Sequence, residues 1–141
     1  MSMATRVKTA PKSQYATLHD LLILKLRVLH DVECELVKAL PKMEKAASDE
    51  RLKEAITAHL AETEVQETRI SEALEILGET SKKKEKSEGI RGLIADAEWC
   101  SKNIKDVHAR DASLIASARY VEHYKIAGYG TAKEWAALMG H

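Results

Sequence analysis

Between Asp111 and Gly130, the residues Ile115, Ala118, Glu122, Ile126 and Tyr129 recur at helical spacing and fall on one stripe. Four of the five are apolar or amphipathic, and the fifth is a carboxylate in mid-stripe. A buried carboxylate is unfavourable unless it is protonated, paired with a cation or bound to a metal. Any fold that buries this stripe must therefore bring a partner to Glu122. That requirement organises the reading of the rest of the chain.

The partner has to come from other helices. Only two prolines and six glycines interrupt the 141 residues, and Ala, Leu, Glu and Lys are abundant. The length fits one domain with a real core. Lysine plus arginine balances aspartate plus glutamate at 22 each, which gives no electrostatic case for nucleic acid or an acidic membrane surface. Aromatic residues are 4% and phenylalanine is absent, which argues against base stacking. Cys34 and Cys100 form no disulfide framework, and no Cys-x-x-Cys occurs. No apolar run reaches membrane-spanning length. Residues 1–16 are polar, lack a signal core and read as a disordered tail, with a helical domain over 17–141 and a cytoplasmic location.

Thr17 or Ser13 can cap the first helix, with Asp20 in its first turn. Its stripe runs Leu18, Leu22, Leu26, Leu29, Glu33, Leu36 or Val37, Leu40 and Met43, so Glu33 is a second carboxylate at a core position. Asp31 and Glu35 fall on other faces and read as solvated. Pro41 should bend this helix without ending it. Ser48 reads as the cap of a second helix, whose stripe is Leu52, Ile56, Leu60, Thr63, Ile70, Leu74 and Leu77, closed by Gly78. Beside it runs a row of Ala55, His59, Glu62, Gln66 and Ala73, with Glu67 at the stripe's border. The segment from Glu79 to Glu88 is a solvated connection whose Lys82-Lys83-Lys84 run is offset by Glu79, Glu85 and Glu88. A shorter helix spans about Ile90 to Lys105, with Cys100 as a small residue on its buried side. Asp111 reads as the cap of the last long helix. Gly128-Tyr129-Gly130 should weaken that helix, and Thr131 to Glu134 has the form of a capping box opening a short final helix through Met139.

Three long antiparallel helices place Glu33, Glu62 and Glu122 near mid-height. Such a layer suits a carboxylate metal site in a bundle core, with iron(II) or manganese(II) as the matching hard ions. His59, one turn from Glu62, and Gln66, one turn on, are further donors. The Glu-x-x-His pair usual in such sites is absent, because Val65 follows Glu62 at i+3 and Lys125 follows Glu122. The competing reading is a metal-free set of buried carboxylates satisfied by Arg, Lys, Tyr and His. His123 points about 100° away from Glu122 and flanks the site. Tyr120, Tyr124 and Tyr129 either donate to the carboxylates or pack with their hydroxyls at the surface. His19, His30, His108 and His141 have no supporting constellation.

Several segments carry a resemblance. They are His59-Leu60-Ala61-Glu62-Thr63 with Gln66, Ala39-Leu40-Pro41-Lys42-Met43, Asp111 to Ala116, and Val121-Glu122-His123-Tyr124 followed by Ile126 to Thr131. In this order they resemble the YciE/YciF family of bacterial stress-associated, ferritin-like proteins, from about Leu18 to His141. The resemblance implies an all-α, ferritin-like up-down bundle with a short crossing helix, a dimer, and a dinuclear metal site. Glu33, Glu62 and Glu122 stand at the positions of that site's ligands, and Gln66 and His123 also match. Many members carry Glu where this chain has Lys125, so Lys125 is expected to neutralise Glu122. The family's closing long helix has no counterpart before His141, which is expected to leave an apolar groove between the first and third long helices for a second copy to cover. Function is read as a stress-associated protein with a partial iron or manganese site, doing redox chemistry on oxygen or peroxide if active. The alternative is a non-enzymatic dimeric helical protein with a metal-free polar core. Whether the chain is an enzyme is left open.

Overall fold

The computed structural model describes residues 15–141, so most of the N-terminal segment read as a tail lies outside the described residues. Four helices follow in order: α1 Leu18–Ala46, α2 Glu50–Ile76, α3 Glu88–Asn103 and α4 Val107–Leu138. Each begins on a short polar side chain that accepts an otherwise unpaired amide. Thr17 and Asp20 form a reciprocal capping box on α1, Asp49 caps α2, Ser87 caps α3 and Asp106 caps α4. The caps of α2 and α4 therefore differ from the expected Ser48 and Asp111. Gly78, at φ 77°, takes the left-handed conformation that lets the chain leave α2.

Helix α1 is the hub. It packs against α2, α3 and α4, and α3 also packs against α4. Residues 29 to 33 are buried in an unbroken run, which places every face of that turn in the interior. Pro41 lies within α1 and the helix continues past it. Asp31, expected in solvent, is buried at 7% exposure. It accepts the Ser87 amide at 2.8 Å and Arg91 at 2.6 Å, tying the start of α3 to α1. Burial alone would raise its carboxyl, but the Arg91 hydrogen bond, the Ser87 amide and the Arg91 charge outweigh burial and hold it below the ordinary range. Arg27, also buried, donates to the carbonyls of Thr80 and Lys83 and to Glu79, and so fastens the connection between α2 and α3.

Two hydrophobic clusters fill the bundle. One contains Val32, Leu36, Leu40, Ile56, Ile90, Leu114 and Val121, and the other contains Leu22, Leu29, Ile70, Leu74 and Ala132. Each large side chain in them contributes roughly 1.5–3 kcal/mol by burial. Between the clusters, at the level of Glu33 on α1, Gln66 on α2 and Lys125 on α4, the core turns polar.

Helix α4 departs from expectation in two ways. It runs without a break through Gly128-Tyr129-Gly130 to Leu138, so no separate final helix forms. Its buried line is Asp111, Leu114, Ser117, Val121, Lys125 and Ala132, offset by one position from the stripe read in the sequence. Ile115 and Ile126 of that stripe are exposed, at 46% and 61%. Helix α4 is apolar on two adjacent lines, and α1 takes the one through Leu114 and Val121. The other lines an open groove of about 840 Å³ between α2 and α4. Leu52, Ala55 and Ile56 face Ala112, Ile115 and Ala118 across it. A smaller one of about 180 Å³, lined by Val28, Leu29 and Val32 opposite Ala127 and Gly128, lies between α1 and α4, where a groove was expected.

Candidate functional site

The polar layer draws its side chains from α1, α2 and α4. Helix α1 presents Glu33, fully buried at 0% exposure, and α4 presents Lys125 at 3%. The Lys125 ammonium donates to Gln66 Oε1 at 2.6 Å. It stands 3.2 Å from Glu33 Oε1 and 3.8 Å from Glu122 Oε1. The Tyr129 hydroxyl, one turn further along α4, donates to the same Glu33 oxygen at 2.8 Å. His59 Nε2 lies 3.1 Å from Glu122 Oε1 but is not aligned as a hydrogen bond. Glu33 Oε2 and His59 Nε2 are buried without a hydrogen-bond partner.

Burial raises the Glu33 carboxyl above the usual range, against the opposing pull of the Lys125 charge and the Tyr129 hydrogen bond. The Tyr129 phenol is pushed far up by burial, by the Glu33 charge and by its hydrogen bond to Glu33. It therefore stays protonated and remains a donor.

Of the residues singled out in the sequence, Glu33, Gln66, His59, Glu122 and Lys125 come together. Glu62 does not: it is exposed, beside Val65, Gln66 and Arg69 on the outer surface. His123 is exposed and lines the α2–α4 groove. Tyr124 pairs its hydroxyl with Ser87 Oγ at 2.8 Å, away from the carboxylates. Lys125 is nearer Gln66 and Glu33 than the Glu122 it was expected to neutralise. A dinuclear ion pair needs several carboxylates converging on two cations. Here an ammonium already sits among the converging oxygens and one expected ligand faces outward, so the donor set as arranged does not fit two metal ions.

A second polar cluster escaped the sequence reading. His30, buried at 3% exposure, meets Glu67 and Ser71 of α2, with Cys34 one turn along α1 and Lys84 from the connection before α3. Burial pushes the Cys34 thiol above its ordinary value. The available signal was His30 and Cys34 at i and i+4, which share a helix face. Glu67, noted only as bordering a stripe, completes the group.

No described helix is long and apolar enough to cross a membrane. Residues 17–141 match the DUF892 family, described as a domain of unknown function. The chain is 38% identical over 125 residues to Protein YciF of Escherichia coli K12, covering 89% of this chain and 75% of that protein. The crystal structure of the E. coli stress protein YciF superposes with a TM-score of 0.84 at 38% identity, over 89% of this chain and 79% of the other. YcfI of Rhodopseudomonas palustris, for which a structural role has been suggested, superposes with a TM-score of 0.89 at 37% identity, over 92% and 82%. With the helical order and the segments quoted above, these matches show that the chain belongs to the DUF892 family, alongside the YciF stress protein.

Proposed function

We propose that this chain is a stress-associated helical structural protein that self-associates, with its polar core held by its own lysine. The observation that carries the reading is the Lys125 ammonium, which takes the cation position among Gln66, Glu33 and Glu122. A buried polar layer of this kind fixes which residues of neighbouring helices face each other, because any slip leaves a charge unpaired. The suggested structural role of YcfI agrees with this reading. The partner is a second copy of the chain. The α2–α4 groove is lined by apolar side chains such as Leu52, Ile56 and Ile115, and Asp49, Arg51, Arg119 and Glu122 beside them supply both signs of charge. A twofold pairing can match them reciprocally.

The unpartnered Glu33 Oε2 and His59 Nε2 favour a second reading, in which Lys125 withdraws and one iron or manganese ion takes its place. Metal analysis of protein purified without chelator and supplied with both ions separates the two. The lysine-held core predicts substoichiometric iron and manganese in wild type. A full equivalent of either, lost in Glu33→Gln and kept in Cys34→Ser, would establish the second reading instead.

A further inference from the structure

We propose that His30, Cys34 and Glu67 form a mononuclear zinc site, separate from the Glu33 layer, and that Lys84 competes with the metal for it. The three ligand atoms are already at coordination spacing. His30 Nε2 is 3.0 Å from Glu67 Oε1, and Cys34 Sγ is 3.9 Å from each of them. The point equidistant from atoms at those separations lies about 2.1 Å from each, against zinc bond lengths of about 2.0–2.1 Å to nitrogen, 2.0–2.2 Å to oxygen and 2.3 Å to sulfur. A zinc ion therefore fits with shifts of a few tenths of an ångström. Two ligands come from one turn of α1, and the third comes from α2, which packs along α1. Mixed nitrogen, sulfur and oxygen donors suit zinc over the harder ions.

Charge also balances. Zinc carries two positive charges, and a Cys34 thiolate with a Glu67 carboxylate carries two negative ones. On binding, the thiol proton goes to solvent and the zinc–sulfur bond forms, with no change of oxidation state. The fourth position faces Ser71 Oγ, 3.1 Å from His30 Nε2, or water.

Lys84 supplies the competition. Its ammonium lies 3.0 Å from His30 Nδ1 and 3.9 Å from Cys34 Sγ. An ammonium only donates, so Nδ1 accepts and the ring proton sits on Nε2, facing Glu67. Zinc needs the Nε2 lone pair, which moves that proton to Nδ1 by exchange with solvent. Nδ1–H and the ammonium are then two donors face to face, and Lys84 must leave. It can do so, because it is exposed on the connection between α2 and α3. The free protein thus keeps a cation beside the site, and zinc displaces it.

Cobalt(II), which replaces zinc and reports thiolate ligation by a charge-transfer band, tests the proposal in reduced, metal-free full chain. The expected result is one equivalent bound with a thiolate band that zinc abolishes. The band should be lost in Cys34→Ser and His30→Ala but kept in Cys100→Ser and Glu33→Gln. Lys84→Ala should tighten binding roughly tenfold. Absence of the band in both wild type and Lys84→Ala, with helical circular dichroism intact, overturns the site. Persistence of the band in Cys34→Ser also overturns it, and unchanged affinity in Lys84→Ala overturns the competition.

Discussion

Glu33 and Lys125 each make the other's burial tolerable. Removing one member of a buried pair leaves an uncompensated charge, whereas replacing both can be close to neutral. Lys125→Met should therefore destabilise the chain by about 3–5 kcal/mol at neutral pH, and Glu33→Gln with Lys125→Met should return to within about 1–2 kcal/mol of wild type. The cost should also depend on pH. Glu33 is raised in the folded chain, so the folded form binds its proton more readily than the unfolded form does. That contribution is complete below the unfolded carboxylate value and is lost as the pH rises through the raised folded value. The penalty of Lys125→Met should consequently shrink at acid pH, in urea titrations done at both conditions. An equal loss at both would show that an uncompensated Glu33 charge is not its cause. Glu33 was legible in the sequence because a carboxylate between Leu29 and Leu36 breaks an apolar line. Asp31, Arg27 and His30 were not. On a helix read alone they occupy a solvated face, and it is α3 and the connection before it that cover Asp31 and Arg27, and α2 together with Lys84 that cover His30.

At the scale of the element, α4 shows how a residue that weakens a helix in isolation can be required by packing. A methyl group on Gly128 would stand 2.7 Å from Leu29 Cδ2, so the Leu29 side chain, 2% exposed, would have to shift to admit it. Gly128 thus sets how closely α4 approaches α1, while Gly130 has open space around it. Alanine gains about 1 kcal/mol of helix propensity over glycine at either position. Gly130→Ala should stabilise by about 0.5–1 kcal/mol. Gly128→Ala should destabilise by about 1–3 kcal/mol despite the same gain. Thermal melts of the two variants would decide it, and equal shifts would mean that the α1–α4 approach is slack. The first three helices were legible from period to within a few residues, whereas α4 is capped at Asp106, five residues before the expected Asp111, and absorbs the short helix expected after Gly130. The phase of α4 was not legible, because it carries two neighbouring apolar lines and nothing local says which one α1 takes.

At the scale of the whole molecule, the unused line of α4 has a consequence for assembly. Sedimentation at micromolar concentration should give twice the 15.7 kDa chain mass, and Ile115→Glu, placed in the α2–α4 groove, should shift it to monomer with the helical signal retained. A wild-type monomer would remove the groove from the assembly. The hairpin of α1 and α2 is likewise incomplete by itself. Its turn amides, Ser48 and Asp49, are met at 2.8 and 2.9 Å by the Asp111 carboxylate, and the Ala46 carbonyl by Arg110, all from α4. This three-residue turn is thus finished by residues more than sixty positions downstream. As the chain leaves a ribosome, α1 and α2 can pair early, but their corner stays wet until α4 arrives. Closure of that corner therefore waits on contacts of long sequence separation, later than the pairing of the hairpin itself.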